Sequence, residues 1–322
     1  MASTARKRFL IVAFDGLRPD MVTPATMPVL HSFGRDGVRF DRARAVFPTE
    51  TRVNQATLVT GAWPGRHGIV GNRFCDPVAS PNALINSGDE DQLRAADAVL
   101  GGRIITAPSL GEILAGHDRS LAVIGSGTAG GTRMLNHTAE RTGQFRFSLY
   151  QPDVSVPRSR IDAILERFGP IPPAEIPSTD RLTYATDVCL DYVMPEVDAD
   201  VTILWFFEPD LSSHHRGIGT RECRQALAHA DRQLARILEW RERSDLGRGL
   251  QIATLSDHGH LSMRGDAIAL GDSLRSAGFA AGDRHGDGVD VVSFCGDAGG
   301  IYVESSRRET VDAIHAWLTA QS

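Results

Sequence analysis

Residues Phe9–Gly16, FLIVAFDG, decide the fold of this chain of 322 residues. Six apolar residues in succession, followed directly by an aspartate and a glycine, are typical of a strand that is buried on both faces and ends in a loop. Strands covered on both faces belong to parallel sheets that lie between layers of helices. We therefore predict that the first strand of such a sheet begins near Phe9.

Strand-like and helix-like segments alternate along the rest of the chain. The strand-like runs are Leu121–Gly125, Val201–Phe207, Gln251–Leu255 and Val289–Phe294. The helix-like patterns are Leu110–Gly116, Ser178–Met194, Glu222–Arg241 and Glu309–Leu318. This alternation predicts an α/β fold, with a mostly parallel central sheet and helices on both faces. We expect one domain over residues 1–322, with loop or cap insertions at 76–102 and 151–177.

Composition and charge are those of an ordinary globular protein. The chain is 42% hydrophobic and 23% charged, with a formal net charge of -6 at pH 7. A mildly acidic chain lacks the basic field that nonspecific binding to nucleic acid or anionic membranes requires, so we expect neither partner. The four cysteines are far apart, which predicts free, buried thiols in a reducing compartment rather than a disulfide framework.

The N-terminal residues do not predict a secretory leader. The apolar run is six residues long, and no small-residue cleavage site follows it. No apolar stretch of the sequence is long enough to span a bilayer. We therefore expect a cytoplasmic protein, and the sequence leaves its oligomeric state open.

Aspartates follow three of the predicted strands, and histidines accompany two of them. Asp15 follows the first strand, Asp210 with His214 follows the run that ends at residue 207, and Asp257 with His258 follows the run that ends at residue 255. The carboxyl ends of parallel strands meet at one edge of the sheet, and carboxylates brought together repel one another unless a cation neutralises them. A mixed set of carboxylates and imidazoles predicts Zn²⁺ or a similar first-row metal rather than Ca²⁺ or Mg²⁺.

Two further histidines, His215 and His260, lie close to these residues in the sequence. A single histidine in such a place is more often a surface residue, or a support for another ligand, than a metal ligand itself. We therefore leave both histidines out of the predicted ligand set.

The segment Phe47–Asn54, FPTETRVN, leads into a helix-like stretch at Gln55–Thr60 and offers a hydroxyl nucleophile. A threonine at a helix N-terminus is normally a cap. However, the free N–H groups and the dipole of a helix N-terminus also favour a phosphoryl group. The Gly- and Pro-containing loop that follows can return a side-chain amide, that of Asn72, to the same place.

Residues 47–72, FPTETRVNQATLVTGAWPGRHGIVGN, resemble the nucleophile signature of the nucleotide pyrophosphatase/phosphodiesterase branch of the alkaline phosphatase superfamily. The other motifs follow in that family's order: Asp15-Gly16, Asp210 with His214, and Ser256-Asp257-His258-Gly259. The resemblance extends from Phe9 to about His260. It implies an alkaline phosphatase-like fold and a metal-dependent hydrolase of phosphodiester or pyrophosphate bonds, acting on a small phosphorylated substrate such as a nucleotide.

The resemblance also implies a role for each site residue. It implies that Thr51, rather than Thr49, is the nucleophile that forms a phosphothreonine intermediate, and that Asn72 donates a hydrogen bond to a phosphoryl oxygen. The family gives no fixed role to Arg52 or Arg66, so we expect both to be solvated charges.

Two divalent metal ions are implied in the same way, with zinc expected and manganese as the alternative. The first ion would be held by Asp15, Asp257, His258 and the Thr51 oxygen. The second would be held by Asp210 and His214.

The chain departs from the family at the second ion. The family supplies a third protein ligand, a histidine in a Gly-rich segment well beyond the Asp-His-Gly motif. This chain ends at Ser322, too early for that segment, and neither His285 nor His315 fits its place. We therefore expect either that the sequence is truncated at its C-terminus or that the second metal site is weak or absent.

Two alternative functions follow from this reading. One is a phosphonoacetate hydrolase-like or other phospho-ester hydrolase of the same superfamily, which would keep Thr51 and the metals and change only the pocket. The other is an inactive protein that binds a single metal ion. The sequence leaves the exact substrate open, because we expect specificity to lie in the two insertions.

Overall fold

The structure, a computed structural model, describes residues 6–296, 298–304 and 307–321. Strands within these ranges form a five-stranded, a three-stranded and a two-stranded sheet. In chain order the strands are β1 (Arg8–Phe14), β2 (Arg73–Asp76), β3 (Ser80–Asn86), β4 (Leu121–Gly125), β5 (Phe145–Ser148), β6 (Val201–Phe206), β7 (Leu250–Leu255), β8 (Ala281–Gly282), β9 (Val291–Cys295) and β10 (Gly299–Val303).

The helices lie between and around these strands. The α-helices are α1 (Pro28–Asp36), α2 (Thr51–Thr60), α3 (Pro64–His67), α4 (Glu90–Val99), α5 (Leu110–Ala115), α6 (Ala129–Leu135), α7 (Ala139–Thr142), α8 (Arg158–Phe168), α9 (Thr179–Val188), α10 (Asp210–Arg216), α11 (Arg221–Arg243), α12 (Leu270–Ser276) and α13 (Arg308–Thr319). A π-helix continues α9 over Cys189–Val197, and short 3₁₀ turns occupy Pro19–Met21, Pro152–Val154 and Asp245–Gly247.

The five-stranded sheet has the order β5-β4-β6-β1-β7, and its neighbouring strands are parallel. On one face, Leu10 and Val12 of β1 pack in a buried apolar cluster with residues of α1, α8, α9 and α11. On the other face, Ala13 packs with residues of α2, α5 and α6. Successive residues of a strand point to opposite faces, so the continuous apolar run of β1 fills both layers. The predicted parallel α/β sheet with helices on both faces is confirmed.

Helix α11 shows how the sequence sets these boundaries. The Thr220 hydroxyl accepts a hydrogen bond from the backbone N–H of Cys223 and caps the first turn. Leu227, Ala230 and Leu234 recur at the helical period and are buried in the core. The helix predicted over residues 222–241 therefore extends from Arg221 to Arg243.

One strand prediction differs from the structure, and one strand of the central sheet was not predicted. The run Val289–Phe294 was expected in the parallel sheet, but its strand β9 pairs with β10 antiparallel and with β8 in a separate sheet. An apolar run indicates burial but does not identify the partner strand. Strand β5, Phe145–Ser148, was not predicted, because it is short and carries Arg146 in a fully buried position.

The two irregular segments contain regular elements. Residues 76–102 include β3, which pairs with β2, and α4. Residues 151–177 include α8, whose Ile161 and Ile164 join the main core. Their role as caps over the site stays a prediction. Among the described residues, no helix combines the length and the apolar character needed to cross a membrane.

Candidate active site

Three aspartates meet at the carboxyl edge of the central sheet. Strands β6, β1 and β7 are neighbours, and Asp210, Asp15 and Asp257 follow their ends in that order. All three aspartates are buried, with Asp15 0% exposed. Gly16 makes the close approach possible: its φ is +68°, and a Cβ there would lie 2.9 Å from Oδ1 of Asp210.

Burial close together makes the ionised form of these carboxylates unfavourable. Burial raises the pKa of Asp257 to about 7. Burial, and then the charges of Asp257 and Asp210, raise the pKa of Asp15 well above its usual range. Oδ2 of Asp257 is buried and has no hydrogen-bond partner among the described residues. A buried carboxylate oxygen without a partner, beside two other carboxylates, fits a site for a cation.

Asp15, Thr51, Asp257 and His258 form the first ligand cluster. The Thr51 hydroxyl lies 3.4 Å from Oδ1 of Asp15 and 3.0 Å from Nε2 of His258. The same Nε2 atom lies 3.4 Å from Oδ1 of Asp15 and 3.5 Å from Oδ2 of Asp257. Asp15, Thr51 and His258 thus lie within 3.4 Å of one another, and Asp257 adjoins them through its 3.5 Å contact with His258.

Hydrogen bonds outside the first ligand cluster fix its members. The Trp205 indole N–H donates to Oδ2 of Asp15 at 3.0 Å, which leaves Oδ1 facing the cluster. Backbone N–H groups of Gly16 and His258 donate to Oδ1 of Asp257, which leaves Oδ2 for a cation. Nδ1 of His258 lies 2.8 Å from the Gly259 carbonyl oxygen, so Nδ1 carries the proton and Nε2 keeps its lone pair.

Asp210, His214 and His260 form the second ligand cluster, and their donor atoms all lie within 4.8 Å of one another. Oδ1 of Asp210 is 3.5 Å from Nε2 of His214 and 3.3 Å from Nδ1 of His260. The two imidazole rings stand edge to face with centroids 4.4 Å apart. Asp210 also groups with Asp15 and His258, so the two clusters adjoin.

His260 was not among the metal ligands predicted from the sequence. It lies two residues beyond His258, a spacing that places both side chains on the same side of an extended segment. That spacing was the available signal. His215, which was left out for the same reason, is exposed and belongs to neither cluster.

Burial would raise the pKa of Asp210, but the hydrogen bond from His260 and the charges of His214, His258 and His260 outweigh it and lower the pKa. The second cluster thus differs from the first in that imidazoles already compensate its carboxylate.

Thr51 is the first residue of α2, which begins four residues before the predicted helix-like stretch. Glu50 precedes it in the N-cap position. The Asn72 side-chain oxygen accepts a hydrogen bond from the Arg52 backbone N–H at 3.2 Å, and the Glu50 carboxylate accepts one from the Asn72 backbone N–H. The amide nitrogen of Asn72 remains to donate to a ligand at the helix start. Thr49, by contrast, is exposed.

The two arginines of this region have different environments. Arg66 is exposed, as predicted. Arg52 is only partly exposed: it lines a narrow cleft together with Thr51, and its Nε is buried without a hydrogen-bond partner among the described residues. Burial lowers the pKa of Arg52, and the charge of Asp15 opposes that shift.

Neither alternative histidine lies in a ligand cluster. The backbone N–H of His285 donates to the Asn82 carbonyl at 2.9 Å, and His315 is exposed on α13. The four cysteines are free thiols, as predicted, but only Cys189 and Cys223 are buried, whereas Cys75 is partly exposed and Cys295 is exposed.

Comparison with known proteins places this geometry in context. The sequence model of the type I phosphodiesterase / nucleotide pyrophosphatase family matches residues 9–320. The bis(5'-adenosyl)-triphosphatase ENPP4 of Bos taurus is 26% identical over 268 residues, which are 83% of this chain and 50% of that protein. Ectonucleotide pyrophosphatase/phosphodiesterase family member 5 of Homo sapiens is 24% identical over 79% of this chain and 45% of its own length. The chain thus spans about half the length of these relatives.

Solved structures share the fold. Phosphonoacetate hydrolase from Sinorhizobium meliloti in complex with phosphonoacetate has a TM-score of 0.66 at 19% identity, covering 96% of this chain and 72% of that one. Murine ectonucleotide pyrophosphatase/phosphodiesterase 5, an inactive threonine-to-alanine variant in complex with AMP, has a TM-score of 0.60 at 18% identity, covering 95% and 68%. At these identities the likeness concerns the fold.

Proposed function

Because the chain belongs to the type I phosphodiesterase / nucleotide pyrophosphatase family, we propose that it hydrolyses a phosphodiester or pyrophosphate bond through Thr51. The observation that carries this proposal is the position of the Thr51 hydroxyl, 3.0 Å from His258 Nε2 and 3.4 Å from Asp15 Oδ1 at the start of α2. A hydroxyl among such groups is a nucleophile rather than a helix cap.

The proposed metal ligands are the two clusters. Asp15, Asp257, His258 and the Thr51 oxygen would hold one divalent ion, and their mixed N/O donors suit zinc or manganese. Asp210 and His214 hold the second ion, and His260 supplies a third protein ligand for it. A divalent ion at such a site lowers the pKa of a hydroxyl and neutralises phosphoryl charge.

The residues of the chain then have the following roles. Oγ1 of Thr51 forms a bond to phosphorus as the bond from phosphorus to the leaving oxygen breaks. Asn72 and the N–H groups at the start of α2 donate hydrogen bonds to a nonbridging oxygen. Water subsequently replaces Oγ1 on the phosphothreonine, releases the phosphorylated product and restores the hydroxyl.

The relatives suggest a nucleotide substrate, since one is named for bis(5'-adenosyl)-triphosphate and another was solved with AMP. The presence of three protein donors in the second cluster supports a two-metal hydrolase over an inactive single-metal protein.

The test is a substrate panel with zinc- and manganese-loaded protein. The panel comprises bis(5'-adenosyl) triphosphate, bis-p-nitrophenyl phosphate, p-nitrophenyl phosphate and phosphonoacetate. We expect the first two to be cleaved fastest, with loss of turnover in Thr51→Ala. Preferential cleavage of phosphonoacetate, or no turnover of any substrate at full metal occupancy, would contradict the proposal.

A further inference from the structure

Arg52 places a positive charge beside the proposed nucleophile, Thr51. The mechanism proposed above assigns no role to this charge. It follows Thr51 on α2, and both residues line one narrow cleft together with Gly127, Thr128 and Phe207. Nε of Arg52 is buried and has no hydrogen-bond partner among the described residues. A buried donor without a hydrogen bond costs free energy of folding, and a ligand that accepts a hydrogen bond from it would remove that cost.

A structural ion pair does not account for this cation. Burial lowers the pKa of Arg52, and the charges of Asp15 and Glu50, which oppose that shift, do not outweigh it. Burial without a paired carboxylate destabilises a guanidinium, which gives the position no advantage for folding alone. Arg66, fourteen residues further along the chain, is exposed, which is the usual environment of an arginine side chain.

A second polar atom in the same cleft lacks a partner. Oε1 of Gln55 is buried without a hydrogen bond among the described residues. Gln55 lies three positions after Arg52 on α2, a spacing that places both side chains on one face of the helix. Glycines adjoin both side chains: a Cβ at Gly88 would lie 3.6 Å from Nη2 of Arg52, and one at Gly131 would lie 3.3 Å from Oε1 of Gln55. The cleft has a volume of about 10 Å³, which is about the space of one water-sized group.

We propose that Arg52 binds an anionic phosphate oxygen of the substrate in the cleft beside Thr51. The guanidinium is a planar fork of donors that matches phosphate oxygens, and it cannot be deprotonated under ordinary conditions. The anion is either the reacting phosphoryl group or a phosphate bonded to it. This inference relies on the proposed function only in placing a phosphoryl group at Thr51.

The experiment measures equilibrium binding by calorimetry to zinc-loaded protein. The probes are inorganic phosphate, which represents the reacting group, and methylenediphosphonate, which adds a neighbouring phosphoryl group and resists hydrolysis. The variants are Arg52→Gln, Arg52→Lys and the matched control Arg66→Gln, each checked for metal content and thermal unfolding.

Arg52→Gln is expected to weaken binding about 10–100-fold, the effect of losing a hydrogen bond to a charged group. Arg52→Lys should fall between Arg52→Gln and wild type, because it keeps the charge and loses the fork. Arg66→Gln should match wild type. Weaker binding of both probes places the anion on the reacting phosphorus, and weaker binding of the diphosphonate alone places it on the neighbouring phosphate.

Unchanged affinity of Arg52→Gln for both probes, at wild-type metal content, would overturn the inference. An equal loss in Arg66→Gln would also overturn it, since the effect would then be one of general charge. Binding is measured without turnover, so a failure of the proposed hydrolysis leaves this result readable.

Discussion

The first and second ligand clusters adjoin, yet they are built differently. The first cluster combines strand ends and a helix start, and its Asp15 and Asp257 have raised pKa values. The second cluster lies on the short helix α10 and a loop, and histidines lower the pKa of its Asp210. The side chain of His214 is 47% exposed, whereas that of Asp257 is 1% exposed. Buried carboxylates without compensation need a cation more, so we expect the first cluster to bind its ion more tightly.

The largest expected effect concerns Thr51, the proposed nucleophile, in the first cluster. Thr51→Ala should lower kcat by roughly four to six orders of magnitude, as loss of a catalytic nucleophile does. Metal content should remain nearly intact, because Asp15, Asp257 and His258 stay in place. Steady-state kinetics with elemental analysis measures both. The exposed Thr49 provides the control, and a comparable loss in Thr49→Ala would reverse the choice between the two hydroxyls.

The next prediction tests the difference in affinity between the clusters. Protein purified without added metal should hold one tightly bound ion. Asp257→Asn should remove that ion, since Oδ2 of Asp257 is buried and has no hydrogen-bond partner among the described residues. Asp210→Asn should leave it in place. Elemental analysis of the two variants measures the retained metal. Loss of the tight ion from Asp210→Asn alone would mean that the second cluster, not the first, binds its ion more tightly.

A third prediction concerns His260 in the second cluster. His260→Ala should weaken the second ion by about 10–100-fold or more, because even a residue that supports a ligand contributes that much. The control is the neighbouring His215→Ala, which should bind both ions as wild type does. Titration with Co²⁺, followed by its visible absorption, reports the second ion directly. If the affinity of His260→Ala for the second ion equals that of wild type, the third ligand of that ion is not His260.

The smallest effect is on stability, and it concerns the metal-free first cluster. A carboxyl whose pKa is raised on folding favours the folded state at low pH, and this contribution is lost as the pH rises through the folded pKa. The pKa of Asp257 is about 7, so metal-free protein should unfold at lower temperature as the pH rises from about 4 to about 7. Thermal melts after chelation measure this. Asp257→Asn should show a smaller decrease, and an identical decrease would assign it to other groups.

Much of the fold could be predicted because its strands are mostly apolar runs. β1, β4, β6 and β7 are of this kind, and an aspartate follows each of β1, β6 and β7. Strand β5 escaped prediction because Arg146 occupies its buried centre. Its guanidinium is satisfied there by Glu140 and by the carbonyl oxygens of Asn136 and Val154, which are contacts that only the folded chain provides.

The candidate site could be predicted where several residue types coincide in order along the chain. It could not be predicted where one residue stands alone. His260 is a single histidine in a loop, and only the folded chain shows that it lies 3.3 Å from Asp210. Arg52 was expected in solvent because long charged side chains usually extend there, whereas its burial depends on α2 packing beside Gly88 and Thr128.

The position of Asp210 between the clusters has a thermodynamic consequence. Its carboxylate groups with His214 and His260 on one side and with Asp15 and His258 on the other. Two ions that share such a neighbour do not bind independently. By linkage, the factor by which the first ion changes the affinity of the second equals the factor by which the second changes that of the first. An ion in the second cluster would therefore change the affinity of the first cluster for its own ion. Titrations that fill the clusters in either order would give the same coupling free energy.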